Sequence, residues 1–543
     1  MPVDRPSFQS PSPSLDALVD QGRFAERRGE HAAARELYGR ALDMLPRESA
    51  PATAAQLLVD IGRTQLSSRH GPGALDAANA ALGLAGSLAA AFELRGQVHW
   101  ADGRLESAGS DFEEGRACAL RAGTLAVAAR CAAHLGALAT QRGALDDAVE
   151  LYESAVAESR ESGDEDTLSG AAAQLAALYS ELRRWNSAEQ TFAEAVQLAQ
   201  GRSDDLALAA LEVGRGEMAL ARANVERARA TAERALDFAR RSGDPEALTR
   251  AVTLSGVVWR ELGDFARAER LLEQGERLAS GRGDLLAIAE AARERADLHA
   301  RQDRHPQTLA SLDRAYRAVT QLRARGTDAG SARRMRRVED GFVDVVARWA
   351  QRIEAKDQAT AGHCERVADL TCEIARRMGI DRASLFWYRV GALLHDIGKL
   401  EVPASILNKV GRLTAEEWTI VKRHPLAGAE LLAQVDFPWE VRPIVESHHE
   451  CWDGSGYPHG LAGEGIPIAA RIFHVADVYD ALVSRRSFKQ AISHQDAVDV
   501  MRRDVGRQFD PAVFKVFEEI VREGMAIPGV TSSAGLPPKP EPR

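Results

Sequence analysis

The feature that most constrains the fold is a repeat of small residues that runs from about residue 15 to residue 320. Its anchors are 40 residues apart, except for one step of 34, and they are Gly22, Gly62, Gly96, Gly136, Ala176, Gly216, Gly256 and Ala296. A second small residue follows twelve positions after each anchor, as at Ala34 and Ala148, except that Thr308 stands there in the last unit. Because a unit of this length cannot bury its apolar face alone, neighbouring units must complete its core. The pattern predicts an all-α solenoid of helix pairs.

Larger apolar residues follow four positions after the second small residue in most units, as at Tyr38, Phe112 and Tyr152. This spacing resembles the tetratricopeptide repeat, whose unit is about 34 residues long. The additional residues of most units lie in predicted turns such as Ser162-Gly163-Asp164, where glycine ends one helix and aspartate caps the next. We predict about eight helix pairs in residues 15–325. Since a solenoid presents an extended surface for a peptide or protein, we expect an unidentified protein partner there.

The segments around the repeats have a different composition. Residues 1–14 and 524–543 are rich in proline, and we predict that both are disordered tails. Residues 326–339 are predicted to be a linker and the start of a connecting helix, because Val338, Phe342, Trp349 and Ile353 recur at helical spacing. We expect this helix to pack on a C-terminal domain, residues 340–523, and to transmit a signal from the repeats.

Length and composition exclude several classes of protein. A chain of 543 residues exceeds the size of one hydrophobic core, so at least two domains are expected. Its net charge of -10 gives no reason to expect duplex nucleic acid as a partner. The five cysteines show no CxxC spacing, which favours a reducing cytoplasm over a disulfide framework. No run approaches the ~20 apolar residues of a membrane span, so the predicted localisation is cytoplasmic, with no membrane partner.

Residues able to bind metal ions concentrate after residue 340, where eight of the 14 histidines lie. The apolar run Val390–Leu394 predicts a buried helix that ends with His395 and Asp396. The imidazole can bind one metal ion and the two-oxygen carboxylate can bridge two, a donor set that suits iron, manganese or zinc rather than calcium. Lys399 returns to the face of His395 if the helix continues past Gly398, and its ammonium group would attract a bound phosphate.

Further imidazoles and carboxylates follow at intervals through this region. A lone buried histidine is more often a hydrogen-bonded core residue than a metal ligand, and we prefer that interpretation, or a surface position, for His459, His474 and His494. A shared metal site is preferred for the remaining set, because seven ligand-type side chains would otherwise have to gather by accident. The predicted metal ligands are His363, His395, Asp396, His424, His448, His449 and Asp477.

Several separated motifs occur here in a fixed order, among them HDIGK (395–399), HHECWDGSGYPHGL (448–461) and QFDP (508–511). Through these motifs, residues 340–523 resemble an HD-GYP domain. The predicted fold is therefore a solenoid followed by an all-helical HD-GYP metal-dependent phosphohydrolase domain. The resemblance implies a signal-transduction enzyme that hydrolyses the bacterial second messenger cyclic di-GMP to the linear dinucleotide pGpG, while a further cleavage to GMP stays open.

The resemblance also implies roles for particular residues. Asp396 and Lys399 are the expected catalytic residues, and the expected substrate contacts are Lys399, Gly456, Tyr457, Pro458, Arg486 and Lys489. Some family members carry a glutamate where Ala359 stands and hold a third metal ion, so we expect two divalent ions here, with iron preferred and manganese as the alternative. We hypothesise that Asp396 bridges the two metal ions. The other ligands of one ion would be His363, His395 and Asp477. Those of the second ion would be His424, His448 and His449.

Two points stay open from the sequence. Asp480 either orients a ligand or the attacking water, or is a solvent-facing carboxylate one helical turn after Asp477. The alternative to a phosphodiesterase is a catalytically silent sensor or scaffold that binds a cyclic dinucleotide without cleaving it. An HD phosphohydrolase acting on other nucleotides, such as (p)ppGpp, is disfavoured because simple HD enzymes lack the HHE and GYP block.

Overall fold

The computed structural model describes residues 14–45, 50–325, 329–355, 362–409, 411–433, 441–484 and 491–523. Within these ranges the chain is helical, without a named strand, so the predicted all-α class is confirmed. The chain divides into two compact units. The first comprises Met1–Leu262 and Gly326–Arg333, and the second comprises Gly263–Arg325 and Arg334–Arg543.

The first unit contains thirteen complete helices among its described residues. They are α1 (Leu15–Arg27), α2 (His31–Asp43), α3 (Pro51–Ser67), α4 (Gly71–Leu84), α5 (Ala89–Ala101), α6 (Leu105–Ala122), α7 (Leu125–Arg142), α8 (Leu145–Ser162), α9 (Glu165–Glu181), α10 (Trp185–Gly201), α11 (Asp205–Ala221), α12 (Val225–Ser242) and α13 (Pro245–Glu261).

Packing in this unit follows the repeat. A Cβ atom added at Gly96 on α5 would lie 2.6 Å from the ring of Phe112 on α6, so the small anchor makes room for the large residue of the next helix. The glycine helix end and the aspartate cap are confirmed, but the prediction that the turns hold the additional residues of each unit is wrong, because only Gly163 and Asp164 separate α8 from α9 and these helices are 18 and 17 residues long. Gly163 ends α8 with a φ of 71°, and the side chain of Asp164 accepts a hydrogen bond from the Thr167 amide to cap α9. Local sequence therefore determines both the ends of the helices and how closely they approach.

The second unit contains the remaining helices. They are α14 (Phe265–Arg282), α15 (Leu285–Arg301), α16 (His305–Ala324), α17 (Ala329–Glu354), α18 (His363–Arg377), α19 (Arg382–Leu394), α20 (Ala404–Leu407), α21 (Ala415–Val421), α22 (His424–Ala433), α23 (Val441–Ser447), α24 (Ile468–Val483), α25 (His494–Arg502) and α26 (Pro511–Arg522). Of α17, the part from Arg334 onward belongs to this unit. Among its described residues it also has two short 3₁₀ turns, Ile397–Glu401 and Gly463–Gly465.

The predicted connecting helix is α17, and it packs on both of its sequence neighbours within the second unit. Trp349 is fully buried, and it shares one apolar core with Leu312 of α16 and Val367 of α18. Its indole Nε1 donates to Nδ1 of His305 at 2.9 Å, and Arg348 contacts Asp297 of α15 at 2.9 Å. The helices of the last predicted repeat thus belong to the same compact unit as the C-terminal region. The boundary at residues 326–339 stays a prediction.

Candidate metal centre

The predicted ligands lie mostly at the ends of helices, where the chain turns and a side chain can point along the helix axis. His363 begins α18 and His424 begins α22, whereas His395 follows the last residue of α19. The condition under which Lys399 would return to the face of His395 along a helix is not met, because α19 ends at Leu394 and a 3₁₀ turn follows. A Cβ atom at Gly398 would overlap the carbonyl oxygen of His424, so this turn packs directly against the start of α22.

The carboxylate of Asp396 lies between two imidazoles. Its Oδ2 is 3.1 Å from Nε2 of His395, and its Oδ1 is 3.2 Å from Nε2 of His424. Nε2 of His424 is in turn 3.1 Å from Nε2 of His448. His424, His448 and His449 each offer a nitrogen, and these three atoms lie within 4.8 Å of one another. Lys399 reaches this group through the 3₁₀ turn, with Nζ 2.8 Å from Oδ2 of Asp396.

His363 joins the cluster from α18 and faces two carboxylates of α24. Its Nε2 lies 3.3 Å from Oδ1 of Asp477, and its Nδ1 lies 2.7 Å from Oδ2 of Asp480. Arg366, one turn along α18, donates from Nε to Oδ1 of Asp480 at 2.7 Å. Asp480 is only 3% exposed, which excludes the solvent-facing alternative. Asp480 therefore holds the orientation of the His363 ring.

Backbone contacts determine which nitrogen of the other imidazoles faces the cluster. In His395, His424 and His448, Nδ1 lies 2.8–2.9 Å from the backbone carbonyl three residues earlier in the chain. A carbonyl oxygen only accepts hydrogen bonds, so Nδ1 must carry the proton. In the neutral rings, the lone pair of Nε2 is consequently directed towards Asp396 and the other imidazoles, which is the arrangement of metal-binding histidines.

Burial and neighbouring charges separate the pKa values in the cluster. Burial lowers the pKa of His449 to about 3, with repulsion from His424 acting in the same direction. Burial also lowers the pKa of His363, but hydrogen bonds to Asp477 and Asp480 outweigh it and raise that pKa to about 10. Burial opposes ionisation of Asp396, yet His395 and Lys399 keep the pKa of its carboxyl well below the usual range. At neutral pH the His449 imidazole and the Asp396 carboxylate are therefore able to bind a cation, whereas His363 must first release a proton.

The glycine-rich block after His449 folds back over the cluster. The buried carboxylate of Glu450 accepts from the backbone amides of His459 at 2.7 Å and Leu461 at 3.0 Å, which holds this segment in place. Gly456 passes so close to the backbone that a Cβ atom there would lie 2.5 Å from Cα of Glu450. The next ring, Tyr457, lies 4.7 Å from the ring of His449 between centroids, and Pro458 follows it. The GYP segment is therefore adjacent to the predicted metal ligands.

The other histidines make contacts that fit the core or surface interpretation. Nδ1 of His474 lies 2.8 Å from the carbonyl oxygen of His448, and Nε2 of His459 pairs with Glu446 at 3.0 Å. Nδ1 of His494 lies 2.7 Å from the hydroxyl of Tyr479.

Several predictions concern residues beyond the described ranges, among them the two predicted tails, of which residues 1–13 and 524–543 lie outside the described residues. Arg486 and Lys489, the predicted substrate contacts, lie outside the described residues. So does Ala359, on which the prediction of two metal ions rather than three depends.

Sequence reasoning missed the residues that support this cluster. Arg366 has no evident role until α24 brings Asp480 to it, although its position one turn after His363 is a weak signal. Glu450 directly follows the two adjacent histidines, and that position could have indicated a role in holding the following loop.

Comparison with known proteins agrees with this architecture. Residues 349–513 match the family model described as HD domain. The C-terminal region of the chain therefore contains an HD domain, and the HD-GYP resemblance is confirmed. Among the described helices, none is long and apolar enough to cross a membrane.

Three curated relatives share this region. The cyclic di-GMP phosphodiesterase response regulator RpfG of Xanthomonas campestris is 41% identical over 179 residues, or 33% of this chain and 47% of the relative. The 3′3′-cGAMP-specific phosphodiesterase 2 of Vibrio cholerae is 37% identical over 34% of this chain and 36% of its own length. A cyclic di-GMP phosphodiesterase of Thermotoga maritima is 37% identical over 34% of this chain and 51% of its own length. The chain thus spans about half of these relatives or less.

Proposed function

We propose that the HD domain of this chain is a metal-dependent phosphodiesterase that hydrolyses cyclic di-GMP to pGpG. The observation that carries this proposal is the Asp396 carboxylate, whose two oxygens each contact the Nε2 atom of a different histidine. A carboxylate in that position can share two cations, as hydrolysis of a phosphodiester by a pair of metal ions requires. Relatives named as cyclic di-GMP and cGAMP phosphodiesterases support a cyclic dinucleotide as the substrate class.

The residues fit a pair of divalent cations. His424 and His448 both carry their proton on Nδ1, so their Nε2 atoms, 3.1 Å apart, meet lone pair to lone pair. Such a contact is repulsive unless a cation lies nearby, and imidazole with carboxylate suits iron or manganese. The proposed ligand sets are His363, His395 and Asp477 for one ion and His424, His448 and His449 for the other, with Asp396 shared between them.

The chemistry of the reaction assigns tasks to the chain. When bound, the metal ions would supply an activated water near neutral pH and offset the charge of the phosphodiester. Lys399, whose ammonium group contacts Asp396 at 2.8 Å, is placed to bind a non-bridging phosphate oxygen. Hydrolysis breaks one P–O3′ bond: the hydroxyl of water adds to phosphorus and its proton goes to the released 3′ oxygen. The product is linear pGpG, and a second cleavage of the same kind would give GMP.

Turnover of the metal-loaded protein tests this proposal. Protein purified anaerobically and loaded with Fe²⁺ or Mn²⁺ should convert cyclic di-GMP to pGpG, followed by chromatography alongside elemental analysis of the bound metal. Asp396→Ala should abolish turnover, whereas the matched change Asp496→Ala, at an exposed position of α25, should retain it. Binding of cyclic di-GMP by calorimetry without any product, at full metal occupancy, would instead indicate the silent sensor.

We also propose that a protein partner at the repeats regulates this activity. The support is the shared core of α16, α17 and α18, through which a displacement of the last repeat would reach the helix that begins with His363. A partner captured on the full chain should change kcat/KM for cyclic di-GMP. Trp349→Phe, which removes the indole hydrogen bond to His305, should reduce that change. An unaltered response in this variant would contradict the proposed route.

A further inference from the structure

A lysine lies between two aromatic rings beside the candidate metal centre. Nζ of Lys422, just after α21, is 6.0 Å from the ring centroid of Trp418 and 5.1 Å from that of Tyr457. Trp418 is 46% exposed, which is unusual for so large an apolar side chain. The rings and the ammonium group together present a stacking face and a cation to solvent.

This edge is continuous with the predicted metal ligands. The Tyr457 ring lies 4.7 Å from the ring of His449, and Lys422 is two residues before His424. The Tyr457 ring lies between the other two groups, 4.7 Å from the His449 ring and 5.1 Å from the Lys422 ammonium group. One nucleotide is long enough to span both distances. A substrate whose phosphodiester lies at the metal ligands would therefore bring a base to this edge.

We propose that Trp418, Lys422 and Tyr457 form a base-recognition edge and that Lys422 selects guanine. Bases stack on exposed aromatic rings whatever their identity, so Trp418 contributes affinity. An ammonium group donates to O6 and N7 of guanine, whereas adenine presents an amino group in place of O6. This inference rests on the proposed function, and it assigns the base preference that phosphodiester chemistry leaves open, because all cyclic dinucleotides share one backbone.

The chain supplies a matched control for Lys422. Lys409 lies in the same region, but its ammonium group is held by the Glu417 carboxylate at 2.6 and 2.7 Å. A change at Lys409 removes the same charge without removing a donor from the aromatic edge. Comparison of the two lysines therefore separates base recognition from the general attraction between a cation and an anionic substrate.

The test is the ratio of kcat/KM for cyclic di-GMP to that for cyclic di-AMP, measured on the full metal-loaded chain. Wild-type protein should prefer cyclic di-GMP, and Lys422→Met should lower the ratio about tenfold, as expected for loss of one good contact to a base. Lys409→Met should leave the ratio unchanged. An unchanged ratio in Lys422→Met, or an equal fall in both lysine variants, would overturn the inference.

A second pair of variants tests the stacking face. Trp418→Ala should raise KM about tenfold for both dinucleotides, and Trp418→Phe should restore most of the loss, because stacking needs a ring rather than an indole. Equal KM values in Trp418→Ala and wild type would exclude the stacking role.

If wild-type protein cleaves bis(p-nitrophenyl) phosphate but neither dinucleotide, the proposed function fails. In that case the role of Lys422 is tested by the ratio of the calorimetric binding constants for cyclic di-GMP and cyclic di-AMP, compared between wild type and Lys422→Met. If neither dinucleotide binds, the inference about Lys422 is overturned as well.

Discussion

At the scale of single residues, the candidate centre depends on side chains that orient the imidazoles as well as on the imidazoles themselves. His363 is held by Asp480, and Asp480 by Arg366. Glu450 performs a comparable task for the GYP segment through two backbone amides. None of these three is a predicted ligand, yet each restricts where a ligand or a substrate contact can lie.

The variant Asp480→Asn measures that orienting effect. The amide keeps the shape of the carboxylate but lowers the basicity of His363, so Mn²⁺ affinity should fall roughly 10- to 100-fold, with activity recovering at high metal concentration. Metal titration by calorimetry, followed by activity against metal concentration, checks this. Asp496→Asn, at an exposed position, serves as the control. An unchanged affinity in Asp480→Asn would show that His363 needs no such partner.

At the scale of secondary structure, the end of α19 decides the geometry of the centre. The helix stops at Leu394, and the 3₁₀ turn that follows brings Lys399 to Asp396. This turn can approach α22 only because residue 398 has no side chain. A continuous helix would have given Lys399 a different direction.

Gly398→Ala should therefore destabilise the second unit. The added methyl group overlaps the backbone of α22, and overpacking of this kind costs roughly 1–3 kcal/mol or more. Gly465→Ala is the matched control, since a Cβ atom there would have no neighbour within 4 Å. Urea unfolding followed by circular dichroism measures both. Equal midpoints for the two variants would contradict the close approach of turn and helix.

A partly buried histidine on α7, His134, makes the first unit sensitive to acid. Burial lowers the pKa of His134 from its ordinary 6.5, with Glu93 opposing and Arg130 assisting. In the unfolded chain His134 binds a proton below about pH 6.5, whereas in the folded protein its lowered pKa opposes this protonation. The free energy of unfolding therefore decreases as the pH falls through that value. His134→Gln should weaken this dependence, whereas His70→Gln, at an exposed position, should preserve it. Thermal unfolding at pH 7.5 and pH 5.5 gives the comparison, and parallel losses in both variants would refute the assignment to His134.

At the scale of the whole molecule, the chain divides within the repeats rather than after them. Helices α14–α16 belong to the second unit together with the HD domain. The buried residues Ala296, Leu312 and Trp349 belong to one core with those of α18, α19 and α24. When a metal ion binds at the centre and stabilises the second unit, the helices of the last repeat should consequently be stabilised as well.

Hydrogen exchange with and without Mn²⁺ tests this coupling. A ligand at 100 times its Kd stabilises the unit that binds it by about 2.7 kcal/mol, so amides that exchange through opening of the second unit should slow about 100-fold. This protection should include α15 and α16 but not α1–α13, which provide the internal control. Protection confined to α18–α26 would show that the last repeat opens independently.

Much of the fold and part of the site could be predicted from the sequence. The repeat predicted helix pairs, and Gly163 with Asp164 predicted a helix end and a cap, because such signals act within one or two turns of chain. The residue types of the candidate centre were also evident, since imidazoles and carboxylates recur in known motifs. The contact of Arg366 with Asp480 was not, because the two residues are 114 positions apart.

Local patterns of residues account for the all-α class, the repeat and the chemical character of the centre, because periodicity, capping and ligand type belong to residues close together in the chain. Tertiary structure alone decided that Nε2 of His424 faces Asp396, that Lys422 lies between two rings, and that the last repeat packs with the HD domain. Those outcomes depend on the packing of residues distant in sequence, where burial and the pairing of polar groups select one arrangement among many.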